Sequence, residues 1–239
     1  MRKSIGAVLF PRAVVIIALL FATLAGAFAK DGATLNYLKP GKPEVTELLA
    51  PPPLADSPEQ AADLAEVRAV SRAASSQDVA AAKSEKSFTV FNFAEAAGPF
   101  LVESNLPETT AFFQKVQSDA AAVTDAAKDF YKRPRPYTID PTLASGKLEK
   151  SFSYPSGHST ESMVLALVLA DLLPDRREAI IAHARTIGWH RVEIARHYPT
   201  DIYAGRVLAQ AIVKQFQKSG AYEKDFAAAK AELAGAQNK

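Results

Sequence analysis

The chain has 239 residues, of which 48% are hydrophobic and 23% are charged, and its formal net charge is +2 at pH 7. This length and composition are those of one globular domain with a sizeable core, and they exclude a low-complexity chain. The sequence has no cysteine, which excludes disulfides, thiol chemistry and cysteine-based metal sites, and the near-neutral charge argues against a general nucleic-acid binder.

The N-terminus carries the features of an export signal. Three basic residues precede the apolar run AVVIIALLFATLAGAFA, which ends in a small-x-small pattern. This predicts a secretory signal peptide over residues 1–29, cut after Ala29, with an uncleaved membrane anchor as the alternative. Without those three basic residues the chain carries 25 Lys and Arg against 26 Asp and Glu. We therefore expect a soluble protein with no stable membrane insertion after cleavage, located in the periplasm, with full secretion left open.

The first part of the remaining chain changes from an arm to a helix. Proline and glycine occur so often in residues 30–56 that we predict an extended N-terminal arm there. The sequence Ser-Pro-Glu-Gln at 57–60 then predicts a helix start, with serine at the N-cap and glutamine completing a capping box. The alanine-rich segment after it should be helical to about Lys86.

Helix patterns continue to the C-terminus, with a loop predicted at residues 137–154. The run from Gly157 to Leu173 is apolar nearly all round, which is typical of a central, buried helix. A short helix is predicted within residues 88–100, ending near Gly98-Pro99, and the other helices are predicted over 107–132, 175–197, 199–218 and 221–239. No strand alternation or repeat is present, so we predict an all-α, single-domain bundle of roughly seven helices over residues 57–239.

The stretch KDFYKRPRPY, residues 128–137, offers a pair of cations. Lys128 should lie on the last turn of the long helix, and Arg135 just beyond it on an extended segment. Arginine presents a planar fork of donors that suits a phosphoryl group, and lysine presents a point charge. The alternative is a solvated basic patch that complements the helix C-terminus.

The stretch SYPSGHST, residues 153–160, opens the central helix. Ser156 takes the N-cap position, and Gly157 lets a ligand come close to the backbone. The free N–H groups of the first turn and the helix dipole make an anion site, with His158 at its rim as a proton donor. The alternative is a capped helix with an incidental histidine.

The stretch HRVEIARHYPTD, residues 190–201, supplies a third element. Arg191 lies on the incoming helix, His197 at its end, and Asp201 in the first turn of the next helix. A carboxylate four residues past a histidine can bind one ring nitrogen and leave the other free to attack. The alternative is a structural His–Asp pair that ties two helices together.

All three stretches lie at predicted helix ends. Together they supply three cations, an anion-binding helix start, two histidines and a carboxylate, which suffice to transfer a phosphoryl group without a metal. We expect no cofactor, because the four histidines form no metal-ligand pattern with nearby carboxylates. The expected partner is a small-molecule phosphomonoester and no nucleic acid, and a homo-oligomer is left open.

The motifs K-x6-RP, PSGH and R-x5-H-x3-D resemble the signature of the type 2 phosphatidic acid phosphatase superfamily, which includes vanadium haloperoxidases. The chain is most similar to its bacterial class A non-specific acid phosphatases, which are exported and carry stretches like VFNFAEAAGPF, YKRPRPY, SYPSGHST and TDIYAGR. The resemblance covers roughly residues 85–220. One position departs from it, since His190 stands where serine or glycine is usual, and this could alter phosphate contacts or substrate preference.

The resemblance implies a metal-independent acid phosphatase that hydrolyses phosphomonoesters through a phosphohistidine. In that mechanism His197 is the nucleophile, Asp201 orients it, and His158 protonates the leaving oxygen and later activates water. The residues implied to hold the phosphoryl oxygens, where charge must be stabilised, are Lys128, Arg135, Ser156, Gly157 and Arg191.

Three other functions stay open. Vanadate-dependent haloperoxidases share the motifs but are usually much longer, and the usual lipid phosphate phosphatases are multi-span membrane proteins. A non-enzymatic periplasmic phosphate binder would need the cations, but it would have no use for an oriented His197–Asp201 pair and for His158.

Overall fold

The computed structural model describes residues 35–238; the predicted signal peptide, residues 1–29, lies outside them. Regular secondary structure in the described part is all helical, as predicted. The α-helices are α1 (Val45–Leu48), α2 (Pro58–Ala73), α3 (Ser76–Ser84), α4 (Ala94–Ala97), α5 (Pro107–Tyr131), α6 (Pro136–Ile139), α7 (Gly157–Leu172), α8 (Arg177–Glu193), α9 (Pro199–Phe216) and α10 (Gly220–Gln237). Short 3₁₀ helices span Val90–Phe93, Glu103–Asn105, Pro141–Leu143 and Pro174–Arg176.

Helix α7 is the centre of the bundle, and α5, α8, α9 and α10 pack against it. Its middle carries the sequence MVLALVLA, and Val164, Leu165 and Leu169 are fully buried. Each such side chain stabilises the fold by about 1.5–3 kcal/mol through burial. The prediction of a central buried helix is confirmed.

Two glycines let α8 and α9 approach the first turn of α7. A Cβ on Gly205 of α9 would lie 3.0 Å from the carbonyl oxygen of Ser156, and one on Gly188 of α8 would lie 3.2 Å from the Oγ of Ser159. Both distances are tighter than ordinary van der Waals contact. The close packing therefore places the ends of α8 and α9 beside the N-terminus of α7.

The segment from Pro58 to Lys86, which was predicted as one helix, forms two helices, because Ser75 caps the start of a second helix. The Oγ of Ser75 accepts from the N–H of Asp78 at 3.1 Å, and the Asp78 carboxylate accepts from the N–H of Ser75 at 3.0 Å. The capping box predicted at Ser57 is half right. The N–H of Gln60 donates to the Oγ of Ser57, but the Gln60 side chain turns to Arg133.

Helix α8 also differs from its predicted span. It ends at Glu193, and Ala195 takes a left-handed backbone conformation with a φ of 53°. The backbone N–H groups of Arg196 and His197 both donate to the carbonyl of Arg191. His197 therefore lies in the turn between α8 and α9, beyond the end of the helix. The predicted loop at 137–154 likewise contains most of α6 and the 3₁₀ turn Pro141–Leu143.

The described part of the predicted arm, residues 35–56, packs on the helical body. The Asp119 carboxylate of α5 accepts from the backbone N–H groups of Tyr37 and Leu38, at 2.8 and 3.1 Å. The segment includes the single turn α1, which the proline-rich sequence did not predict. No helix within residues 35–238 combines the length and apolar character needed to cross a bilayer.

Candidate active site

The three predicted stretches meet at the N-terminus of α7. Lys128 lies on the last turn of α5, and Arg135 lies just beyond it with an extended backbone, as predicted. Arg135 also directly precedes α6, which was not predicted. Ser156 is the N-cap of α7, and its N–H donates to the backbone carbonyl of Asp201 at 3.1 Å. Arg191 lies on the last turn of α8. The structure thus brings the residues of all three stretches to one place.

His197 and Asp201 form a buried pair. The Nδ1 of His197 lies 3.2 Å from the Oδ2 of Asp201, and both side chains are almost completely excluded from solvent. Because a carboxylate only accepts hydrogen bonds, Nδ1 carries the proton and the lone pair is on Nε2. Burial, followed by the charge of Arg135, holds the pKa of His197 well below its usual value. The imidazole is therefore neutral, with a free nitrogen.

That free nitrogen faces Arg135. The Nη1 of Arg135 lies 3.2 Å from the Nε2 of His197. The guanidinium is fixed by its Nε, which donates to the carbonyl of Ser151 at 2.8 Å, and by Nη1, which donates to the carbonyl of Arg196 at 3.0 Å. A planar donor suited to a phosphoryl oxygen is thus held beside a nitrogen suited to attack phosphorus.

Lys128 is buried close to the start of α7. Its Nζ donates to the carbonyl of Phe152 at 2.8 Å, and a Cβ on Gly157 would lie 3.8 Å from its Cε. Burial, followed by repulsion from Arg135, lowers the pKa of Lys128 to about 7. An anion bound at this helix N-terminus would meet the lysine, the free N–H groups and the helix dipole together.

A carboxylate occupies the space between the arginines. The Oε1 of Glu149 accepts from the Nη2 of Arg191 at 2.8 Å. The Oε2 of Glu149 lies 3.5 Å from the Nη1 of Arg135 and 3.5 Å from the Nε of Arg196. Burial lowers the pKa of Arg191 to about 10, and Glu149 opposes that shift. The Glu149 carboxylate contacts all three arginines, so their arrangement is suited to binding an anion.

His158 has a different environment from His197. Its Nε2 lies 3.1 Å from the backbone carbonyl of Glu85, and its ring packs 5.5 Å from that of Phe88. A carbonyl oxygen only accepts, so Nε2 carries the proton in the neutral form and Nδ1 is the remaining base. Burial first, and then the charge of Arg191, lower the pKa of His158 to about 3. His158 is neutral at physiological pH when no ligand is bound.

His190, at the position that departs from the family pattern, contacts carboxylates. Its Nδ1 lies 2.8 Å from the Oε2 of Glu85, and this hydrogen bond raises the pKa of His190. Asp78, His190 and Glu193 also place one ligand atom each within 4.8 Å of one another, which could hold a metal ion. The expectation that no histidine forms such a pattern is wrong for His190, because Asp78 reaches it from the distant helix α3.

Sequence reasoning missed the residue that supports Asp201. Arg133 is buried, and its Nη1 donates to the Oδ1 of Asp201 at 2.6 Å while its Nη2 donates to the Oδ2 of Asp63 at 2.7 Å. The Oγ of Ser153 donates to the other oxygen of Asp201 at 2.6 Å. The K-x6-RP spacing selects Arg135, and only the alternation of cations in KRPRP hints that Arg133 also has a role at the site.

Comparison with known proteins gives the following similarities. The profile of the PAP2 superfamily matches residues 118–220. A non-specific acid phosphatase of Providencia stuartii is 31% identical over 148 residues, which cover 59% of this chain and 60% of that protein. An acid phosphatase of Zymomonas mobilis is 28% identical over 194 residues, covering 77% and 74%. A lipid A 1-phosphatase of Rhizobium etli is 45% identical over 53 residues, covering 22% and 23%. The chain thus aligns with about 60% of the length of the Providencia protein.

Proposed function

The chain belongs to the PAP2 superfamily, and on that premise we propose that it is an acid phosphatase that hydrolyses phosphomonoesters through a phosphohistidine. The observation that carries the proposal is the orientation of His197. Its Nδ1 is tied to Asp201 and its Nε2 faces Arg135 at 3.2 Å. The acid phosphatases of Providencia stuartii and Zymomonas mobilis support the substrate class.

In the first step, the Nε2 lone pair of His197 attacks phosphorus and the bond from phosphorus to the leaving oxygen breaks. Asp201 stabilises the positive charge that develops on the imidazole. Lys128, Arg135 and Arg191, with the N–H groups at the start of α7, hold the phosphoryl oxygens, where negative charge must be stabilised. Glu149 has to leave the arginines for the phosphoryl group to bind.

His158 is proposed to donate the proton that the leaving oxygen takes up. Its low pKa in the free protein means that this proton has to arrive with the substrate. The second pKa of a phosphate ester is about 6, so a substrate monoanion brings a proton that it can share with the Nδ1 of His158. In the second step His158 takes a proton from water, whose oxygen bonds to phosphorus while the bond from phosphorus to the Nε2 of His197 breaks, which releases phosphate and restores the neutral imidazole. Activity is therefore expected on the acidic side of neutral.

We place the mature protein in the periplasm, with residues 30–56 as an N-terminal arm and residues 57–239 as the phosphatase domain. The basic start, the apolar run and the Ala-Phe-Ala end of residues 1–29 support export. Intact mass of the protein from the periplasmic fraction should show Lys30 as the first residue. A full-length product retained in the membrane would contradict the cleavage.

The second candidate is a lipid phosphate phosphatase, favoured by the 45% identity over 53 residues with a lipid A 1-phosphatase. Its test is turnover of detergent-dispersed phosphatidic acid beside p-nitrophenyl phosphate. A kcat/KM that is higher on the dispersed lipid would favour this candidate over the small-molecule phosphatase.

The deciding experiment compares His197→Ala with His183→Gln, a histidine of α8 outside the site. Wild type and His183→Gln should hydrolyse p-nitrophenyl phosphate and carry label from a ³²P substrate after a neutral quench. His197→Ala should lose at least about 10³-fold in kcat together with all phosphoenzyme, because it removes the covalent route. A phosphorylated His197→Ala protein would place the nucleophile elsewhere, and an inactive wild type would overturn the proposed function.

A further inference from the structure

A cleft of about 1040 Å³ adjoins the candidate active site. Arg191, one of the predicted phosphate-binding residues, and Glu149, which lies 3.5 Å from Arg135, line the end of the cleft nearest the candidate site. Small-molecule sites usually have volumes of about 300–1,000 Å³, so this cleft of about 1040 Å³ is slightly larger than that range. A phosphoryl group alone would leave most of it empty, and the remainder is available to the leaving group of the substrate.

Four lysines line the rest of the cleft. Lys83 is in α3 and Lys86 follows that helix, whereas Lys147 and Lys150 belong to the segment that precedes α7. All four are exposed, and the ion pairs found among residues 35–238 include none of them. Two separate elements therefore each supply a pair of cations with no carboxylate partner.

The charge of the cleft differs from that of the whole chain. Its lining contains six Lys and Arg against two carboxylates, Glu149 and Glu193, whereas the chain has 28 Lys and Arg against 26 Asp and Glu. A concave surface lined by charges of one sign concentrates ligands of the opposite sign. The four lysines lie outside the group of Lys128, Arg135 and Arg191 that serves the phosphoryl group, so they are free to bind a second anion.

Resting on the proposed function, we infer that the preferred substrates are phosphomonoesters whose leaving group carries a second phosphate. The phosphoryl group to be transferred lies against His197, and Lys83, Lys86, Lys147 and Lys150 bind the remote phosphate of the leaving group. Flexible lysine side chains supply point charges and not a rigid fork, so the cleft accepts bisphosphorylated small molecules of differing shape. Val79 and Ile194, which also line it, offer an apolar surface to the part of the molecule between the phosphates.

The test compares kcat/KM on p-nitrophenyl phosphate, adenosine 5′-monophosphate and adenosine 3′,5′-bisphosphate, with chromatography to show which phosphate is released. Wild type should have a kcat/KM for the bisphosphate at least about fivefold above that for the monophosphate. The presence of two phosphates that can be released would by itself explain only about a twofold difference. Because exposed charge pairs each contribute about 0.2–1 kcal/mol, removal of two lysines should lower kcat/KM for the bisphosphate by about 2- to 30-fold. The values for the other two substrates should change by less than about twofold.

Two double variants on separate elements guard against misfolding, Lys83→Gln with Lys86→Gln and Lys147→Gln with Lys150→Gln. The matched control is Lys214→Gln with Lys230→Gln, which removes the same charge from exposed positions of α9 and α10. This control should keep the preference for the bisphosphate. Added salt at about 0.5 M should reduce the preference in wild type, since exposed charges are screened.

The outcomes separate this inference from the function on which it rests. A wild type that hydrolyses none of the three substrates would overturn the proposed function. A wild type that hydrolyses p-nitrophenyl phosphate but shows no preference for the bisphosphate would overturn the inference alone. The same holds if both lysine pairs lower kcat/KM equally on all three substrates, or if the control pair has the same effect as the cleft pairs.

Discussion

His197 faces the carboxylate of Asp201 through Nδ1, whereas His158 faces the backbone carbonyl of Glu85 through Nε2. A carboxylate stabilises a positive imidazole by a full charge, and a carbonyl does so only by a dipole. The His197 side of the pocket therefore suits the proposed first step, in which the imidazole becomes positive when Nε2 forms a bond to phosphorus. The carbonyl of Glu85 holds the His158 ring in place, but whether that ring is protonated depends on the charges bound nearby.

Burial and the same three cations lower the pKa of both His158 and His197, but a low pKa has different consequences for a proton donor and for a nucleophile. Burial is the largest cause in each case, and Lys128, Arg135 and Arg191 contribute to both shifts. A nucleophile needs a free lone pair, so a low pKa suits His197. A proton donor needs a proton, so the low pKa of His158 suits its role only after an anion offsets the three cations.

The largest expected effect tests the His158 side. Loss of a general acid costs most when the leaving group needs the proton, so His158→Ala should lower kcat/KM on an alkyl phosphate by about 10²–10⁴-fold. The loss on p-nitrophenyl phosphate should be much smaller, because nitrophenolate leaves without help, and phosphohistidine should accumulate because water is no longer activated. The measurement is kcat/KM for both substrates in the variant and in wild type. Equal losses on the two would mean that His158 only packs the start of α7.

Removal of the Glu149 carboxylate between the arginines should strengthen phosphate binding, and this effect should be smaller than the loss of activity in His158→Ala. Glu149 competes with phosphate for Arg135 and Arg191, so Glu149→Gln should lower the inhibition constant of inorganic phosphate by about 3- to 10-fold. The exposed Glu95→Gln on α4 is a matched control and should leave that constant unchanged. If phosphate binds Glu149→Gln more weakly, the carboxylate supports the arginines and does not compete with the substrate.

Removal of the Lys128 cation should stabilise the folded protein without ligand and weaken the binding of the phosphoryl group. The pKa of Lys128 is about 7 in the folded protein against 10.5 for an ordinary lysine, so the folded state binds fewer protons than the unfolded state between these values. Stability of the wild type is thus lost as pH falls from about 10.5 to about 7. Lys128→Met should raise the free energy of unfolding at pH 7 by about 1–4 kcal/mol and have less effect near pH 10.5.

Urea unfolding of Lys128→Met and of wild type at both pH values measures this difference. The exposed Lys214→Met serves as control and should keep the pH dependence of the wild type, because it retains Lys128. A Lys128→Met protein that is destabilised equally at both pH values would show that the lysine packs the core and carries no charge penalty. Either way its phosphatase activity should fall, because one phosphoryl contact is lost.

The smallest expected effect concerns metal. In the proposed mechanism Lys128, Arg135 and Arg191 meet the phosphoryl charge, so dialysis against EDTA should change kcat/KM by less than about twofold relative to a mock-dialysed sample. A loss that a divalent cation restores would contradict this. Asp78, His190 and Glu193 would then be the candidate metal ligands. This group is connected to the site through Glu85, which contacts both His190 and His158. Asp78→Asn would be the variant to examine.

The fold and the helical framework of the site were predictable because their signals are local. The N-cap at Ser156, the proline after His197 and the apolar run of α7 each act within a few residues, and the structure shows the helices that they predict. Two boundaries were wrong, although the features that set them lie close by in the chain. Ser75 restarts the chain inside an alanine-rich segment, and the left-handed Ala195 ends α8 before His197.

The sequence by itself determined the eight residues predicted for the candidate site, because three short motifs at helix ends carry them. Tertiary structure decided how those groups behave. Glu149 lies among the arginines, Arg133 joins Asp201 to Asp63 of α2, and Glu85 holds both His158 and His190. These contacts connect residues far apart in the chain, so no local pattern encodes them. The low pKa values of His158, His197 and Lys128 likewise arise from burial and from neighbouring charges, and both exist only once the helices have packed.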